Sequence, residues 1–170
     1  MIGWKEIAMP NQKIMKIPRM KKVLARLKVQ GKKIVFTNGC FDILHVGHVR
    51  YLKKAKSLGD ILIIGMNTDR SVKTIKGEKR PIVPERERAE VLSALEFVDY
   101  IIFFDEPDPL ALIAALHPDV LVKGADWSKD RIVGREIVEN LGGRVVRVPM
   151  VPGASSTGLI EKIKKIYGKG

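Results

Sequence analysis

The sequence predicts one α/β domain, an open five-stranded parallel sheet with helices on both faces, and three observations point to it. Short β-branched runs alternate with stretches of helical period along the chain. Five such runs alternating with helices argue for a parallel sheet covered on both faces. The 170 residues, 45% of them apolar, suffice for one core, and no composition break or linker divides the chain.

Taken in order, residues 1–19 are basic, interrupted by Pro10 and Pro18, and lack a sustained period, so they read as an arm ahead of a domain spanning 20–170. A short helix is expected over Met20–Gln30, closed by Gly31. Strands follow at Lys33–Thr37, Ile61–Met66, Tyr100–Phe104, Val120–Val122 and Val145–Val148. Helices are expected at Gly47–Leu58, Glu85–Glu96, Pro109–Leu116, Arg131–Leu141 and Ser156–Tyr167, while the segment after the second strand reads as a polar, Gly-containing loop. In such sheets ligands bind beyond the carboxyl ends of the strands, so function is expected there.

Composition narrows the classes. No apolar run is long enough for a bilayer, and the N-terminus lacks a signal-peptide pattern, which points to a cytoplasmic protein without a membrane partner. Cys40 is the one cysteine, so an internal disulfide is excluded. The formal charge of +12 attracts anions of every kind, or else reflects a Lys-rich solvated surface. A nucleic-acid module would account for the charge, but the aromatic residues form no stacking array and nothing in that reading uses the histidines.

The chemistry concentrates where the first strand runs into Asn38-Gly39-Cys40-Phe41-Asp42-Ile43-Leu44-His45-Val46-Gly47-His48. Two imidazoles three residues apart share one side of a helical turn, close to free backbone N–H groups and the positive end of the helix dipole. Gly39 allows backbone to approach phosphate, and Gly47 leaves room above the helix start. Phosphoryl and nucleotidyl transfer need donors aimed at oxygens that gain charge, and this loop supplies them. The alternative is a metal site in which Asp42 or Cys40 joins His45 and His48. The residues argue against a dinucleotide fingerprint, because the turn has no GxGxxG and is too long for that tight turn.

The stretch TNGCFDILHVGHVRYLKKAKSLGD (residues 37–60) resembles the opening of the cytidylyltransferase-like superfamily, whose hallmark is HxGH after the first strand. Asn67-Thr68-Asp69, Lys76-Gly77, Arg80-Pro81, Glu87-Arg88, Val98-Asp99, LVKGADW from Leu121 and Ser155-Ser156-Thr157 follow in that family's order. Within it the pattern is most similar to the adenylyltransferase domain of bacterial ADP-heptose synthases, in a form without the sugar kinase domain that those often carry. The resemblance implies a Rossmann-like nucleotidyltransferase that moves AMP from ATP to D-glycero-β-D-manno-heptose 1-phosphate. Transfer of CMP to an alcohol phosphate, or of AMP to FMN, is the alternative within the family.

By the same resemblance His45, His48 and Lys76 act in catalysis. Asn38, Gly39, Cys40, Phe41, Asp42, Gly47, Lys123, Gly124, Asp126, Trp127, Ser155, Ser156 and Thr157 bind the nucleotide. Asn67, Asp69, Lys73 and Arg88 meet substrate or phosphate, with Arg80 and Arg86 as rivals of Arg88. Mg²⁺ is expected on the phosphates, with Asp42 as its one candidate protein contact. The alternative readings are a loop or helix-capping carboxylate for Asp42, a lid on the core for Trp127 and an ordinary helix cap for Ser155–Thr157. A separate sugar kinase acting upstream and a homodimer, using Trp4, Ile7 and Met15, complete the expected partners.

Overall fold

The computed structural model describes residues 12–168, so the first 11 residues of the expected arm, Trp4 and Ile7 among them, lie outside the described residues. Along the chain run α1 (Ile17–Val29), β1 (Ile34–Gly39), α2 (Val46–Lys56), β2 (Ile61–Asn67), α3 (Asp69–Lys76), α4 (Glu85–Ser93), β3 (Tyr100–Phe104), α5 (Leu110–Leu116), β4 (Val120–Gly124), α6 (Arg135–Asn140), β5 (Arg144–Val148) and α7 (Ser156–Tyr167). All strand pairs are parallel, in the order β3-β2-β1-β4-β5. The predicted α/β fold is therefore the fold observed.

Residues alternate across the sheet into two layers. Ile34 and Phe36 face one side with Met20 and Leu24 of α1, Leu112 and Leu116 of α5 and Val138 of α6. Val35, Leu62 and Ile64 face the other with Leu52 and Ala55 of α2 and Ala89 and Leu92 of α4. Helices cover both faces, and this is why the central strands β1 and β2 are largely apolar.

Three local differences have physical reasons. The first helix starts at Ile17 rather than Met20, with Pro18 in its first turn, a position that lacks an intrahelical N–H bond anyway. Ahead of it, Ile14 bridges Ile101 at the edge of β3. The loop expected after β2 contains α3, capped by Thr68, whose Oγ accepts from the Ser71 N–H at 3.2 Å. Its only large apolar residues are Val72 and Ile75, too few to show a period. The helix expected over Arg131–Leu141 is divided: a 3₁₀ turn at Lys129–Arg131 precedes α6, and Gly134 stands between them at φ +82°. A Cβ there would come within 2.5 Å of Ile113 Cδ1.

The two ends of the sheet differ in polarity bookkeeping. At the amino end, aspartates satisfy the N–H groups that open the strands. Asp60 accepts from Lys33 N at 2.7 Å, Asp119 from Ile34 N at 2.7 Å and Asp99 from Leu62 N at 2.6 Å. At the carboxyl end, β1 continues upward between β2 and β4, and the direction of strand order reverses between β1 and β4. That crevice is the ligand site of doubly wound sheets. Replacing Asp119 by Ala should lower stability by about 1–3 kcal/mol in urea unfolding, because the Ile34 amide is left buried without its acceptor. An unchanged midpoint would show that this amide is satisfied otherwise.

Candidate active site

His45 ends the loop after β1 as the N-cap of α2. Its Nδ1 accepts from the Gly47 N–H at 3.1 Å, which leaves the ring proton on Nε2. The ring stacks on His48, centroids 3.9 Å apart and 24° between planes. Gly47 is what allows this. A Cβ there would lie 2.9 Å from both Cε1 and Nδ1 of His45 and 3.1 Å from the Ala154 Cβ.

Phe41 supports the pair from the other side, its ring 5.3 Å from His48. It is buried and adopts φ +47°, a left-handed conformation uncommon for a residue with a side chain, and a Cβ on Gly39 would approach its ring to 3.1 Å. The sequence placed Phe41 against the nucleotide. Its ring packs against the His48 imidazole. His48 Nδ1 is buried without a hydrogen-bond partner, and burial, with the neighbouring His45, drives the ring's pKa down to about 4. His45 is shifted down as well, by burial. Both rings are therefore uncharged at neutral pH.

Across the switch crevice, Lys123 at the end of β4 donates to Asn38 Oδ1 at the end of β1. Burial lowers the Lys123 pKa to about 8, against the opposing pull of Asp108 and Asp126. Its ammonium lies 5.8 Å from the centre of the Trp127 ring, and Trp127 itself is half exposed after the turn in which its N–H donates to Gly124 O at 3.2 Å. The lid reading of Trp127 is set aside, because the residue is 48% exposed. A Cβ on Gly124 would strike the Asp126 carboxylate. Sequence reading missed Tyr51, whose hydroxyl pairs with Thr37 Oγ1 at 2.7 Å below this crevice. Burial and the charge of Asp126 raise its pKa.

The start of α7 reaches the same place. Ser155 caps the helix by accepting from Gly158 N at 2.9 Å, and Ser156 Oγ donates to Ile43 O at 3.0 Å, tying α7 to the histidine loop. Both hydroxyls are engaged within the protein. Thr157 is exposed, and the N–H groups of Ser156 and Thr157 stand in the first turn, where a helix supplies no acceptor.

Several expected ligand contacts turn inward. The Arg88 side chain is fully buried: Nε donates to Val83 O at 3.0 Å, Nη2 to Asp69 Oδ1 at 2.7 Å and Nη1 to Cys40 O. All three nitrogens are used, so Arg88 is a tie between the histidine loop, α3 and the segment before α4 rather than a phosphate contact. Asp69 is its counter-ion, and Asn67 is buried, donating to Ser71 Oγ at 2.9 Å. Arg86 is exposed on α4.

Asp42 is likewise enclosed, its side chain 1% exposed. Oδ1 accepts from the N–H groups of Ile82 at 2.8 Å and Val83 at 2.9 Å, and Oδ2 accepts from Arg80 Nε at 2.5 Å. Burial works to raise its pKa, but these donors outweigh it and hold the carboxyl below its ordinary value. The metal contact considered for Asp42 does not fit this geometry, and among the described residues no group of three or more His, Cys, Asp or Glu could hold an ion.

Lys73 and Lys76, expected on a mobile loop, stand exposed on α3 and in its last turn. Burial raises the Cys40 thiol pKa, and the charges opposing it are Lys76, Arg88 and Arg80. Lys76 is thus among the charges felt at Cys40 at the end of β1, and Lys73 is not.

Because Lys123 is an ammonium below about pH 8 and loses its charge above it, an anionic nucleotide should bind best below that pH. The affinity of the wild type for ATP should weaken as pH rises from 7 to 9.5 in titration calorimetry, and that of Lys123→Met should be weaker and nearly flat. A flat wild-type profile would remove Lys123 from the binding site.

The site can be set beside known proteins. The model of the cytidylyltransferase-like family matches residues 36–162. The chain is 56% identical over 147 residues to the bifunctional protein HldE of Geobacter sulfurreducens, covering 86% of this chain and 30% of that protein. It is 53% identical over 159 residues to the bifunctional protein HldE of Geobacter metallireducens, covering 94% and 32%. The chain thus spans about a third of the length of these relatives. A lipopolysaccharide core biosynthesis protein from Thermoplasma volcanium is 33% identical with a TM-score of 0.58, covering 71% of this chain and 98% of that one. Pantoate-beta-alanine ligase from Francisella tularensis, 18% identical with a TM-score of 0.59 over 91% of this chain and 77% of its own, shares the fold. With the family match running from the middle of β1 into α7 and enclosing the histidine pair, the chain belongs to the cytidylyltransferase-like family.

Proposed function

We propose that the chain transfers AMP from ATP to D-glycero-β-D-manno-heptose 1-phosphate, giving ADP-heptose and pyrophosphate. The observation that carries the transfer reaction is the stacked, uncharged His45–His48 pair at the start of α2, beside the crevice between β1 and β4. The choice of acceptor rests on the motif resemblance to ADP-heptose synthases, which agrees with the similarity to the bifunctional HldE proteins and to a lipopolysaccharide core biosynthesis protein.

In this reading a phosphate oxygen of the acceptor attacks the α-phosphorus in line. The new P–O bond forms as the α–β bridging P–O bond breaks, and pyrophosphate departs with that electron pair. No bond to the protein is made. His45 Nε2–H is a donor already set by the Gly47 contact, so no reorganisation is required when charge develops on the phosphate oxygens. His48, kept neutral by burial, gains proton affinity when an anion arrives beside it. The backbone N–H groups at the starts of α2 and α7 face the same anion. Lys76 supplies a point charge from the α3 side.

Lys123, Asp126 and Trp127 hold the nucleoside. Mg²⁺ is placed on the triphosphate as a component of the substrate, where it would offset phosphate charge. A sugar kinase acting earlier and a homodimer belong to the same reading.

Pyrophosphate release measured over a panel of ATP, CTP and GTP with heptose 1-phosphate, glycerol 3-phosphate and FMN should show turnover with ATP and the heptose. Turnover with CTP alone would contradict the acceptor assignment. With the productive pair, His48→Ala should lose about 10²–10³ in kcat while keeping its far-ultraviolet dichroism. Near-normal turnover by that variant would contradict the mechanism.

A further inference from the structure

The segment 77–84 between α3 and α4 has no helix or strand, yet it carries the link from Lys76 to the rest of the site. Lys76 itself is exposed and makes no hydrogen bond or ion pair among the described residues. Its position therefore depends on how the chain on either side is held. On the α3 side the helix ends with Gly77 N–H donating to Lys73 O at 2.8 Å. On the other side Arg80 N–H donates to Gly77 O at 3.0 Å, and then three consecutive donors, Arg80 Nε and the N–H groups of Ile82 and Val83, close on one buried carboxylate. That carboxylate is Asp42, three residues before His45 in the same loop.

We infer that Arg80 is a positioning residue: paired with Asp42, it sets Lys76 in register with His45 and His48. The inference rests on the proposed roles of Lys76 and the histidines. The two backbone N–H groups on Oδ1 anchor the segment next to α4, whereas the Arg80 contact on Oδ2 anchors it two residues closer to Lys76. Arg80 is four residues beyond Lys76, with a turn closed at Gly77 between them, so freeing its side chain lets that turn swing and carries the ammonium with it. The Arg80 side chain is 18% exposed and its Nε donates to Asp42, so the tie to the histidine loop runs through that one contact and reaches Lys76 through the chain. The pairing also explains an acidic group in a site that must receive anions. Its charge is cancelled locally by Arg80, and it is shielded from the crevice.

The test is a cycle of pyrophosphate-release measurements on the full chain, with the acceptor that supports turnover, comparing wild type, Arg80→Met, Lys76→Ala, the double variant and Arg80→Lys. Arg80→Met should lower kcat by roughly 10–100-fold with little change in KM for ATP, since a displacement near 1 Å of a group aligned on the transition state costs that much. In the Lys76→Ala background the same change should cost less than about twofold, because the residue through which Arg80 acts is gone. Arg80→Lys should recover some of the rate.

Amide exchange at Ile82 and Val83 should stay protected in Arg80→Met, as Asp42 Oδ1 still accepts from both. An equal loss of rate in the two backgrounds would reduce Arg80 to a structural residue and overturn the inference. Unchanged kcat in Arg80→Met would do the same. If Lys76→Ala alone turned over normally, the assignment of Lys76 would fall and the inference with it, a result distinguishable from the first by the single variant.

Discussion

The site is organised around the absence of a side chain at Gly47. A single methyl group there would overlap the His45 ring at 2.9 Å and crowd Ala154 at 3.1 Å. With hydrogen in its place, the His45 ring folds back over the helix start, caps it through Nδ1 and stacks on His48, while the chain ahead of α7 approaches from above. Two helix N-termini and two imidazoles are thereby gathered at one point. Helix N-termini favour negative charge, and the imidazoles add donors without adding positive charge of their own at neutral pH. An anion entering the crevice therefore meets preoriented dipoles rather than counter-ions that must first be stripped of other partners.

Around that point the charged groups divide into those that face the crevice and those that hold it. Arg88, Asp69, Asp42 and Arg80 neutralise one another and tie α3, the segment before α4 and the histidine loop together. Lys76 ends α3, and Lys123 stands near the end of β4. Lys123 is buried enough to feel its desolvation, whereas Lys76 is exposed. The arrangement suits transfer between phosphates, in which alignment and charge stabilisation accomplish most of the work.

Much of this was legible in the sequence because it depends on short-range pattern. Runs such as Ile61–Met66 are apolar throughout because the strand is covered on both faces, and the imidazoles three residues apart behind a glycine-bearing loop mark the helix start. What was not legible depends on contacts between residues far apart in the chain. Arg88 is 48 residues from Cys40 and 19 from Asp69, and no local signal distinguishes an arginine tied to both from one reaching for phosphate. Arg80 and Arg86 looked like equal rivals of Arg88, yet one is bound to Asp42 and the other is exposed. Helix α3 escaped notice because its stability comes from the Thr68 cap and from Ser71 and Val72 packing inward, not from an apolar stripe.

The central claim is that the bond made in this site is to the α-phosphorus of the nucleotide. It is tested most directly by incubating the protein with heptose 1-phosphate and ATP labelled with ³²P at either the α or the γ position, then separating the products. Label from the α position should appear in the sugar nucleotide, and label from the γ position in pyrophosphate alone. Transfer of the γ label to the sugar, or release of the α label as free AMP with no sugar nucleotide formed, would contradict the account.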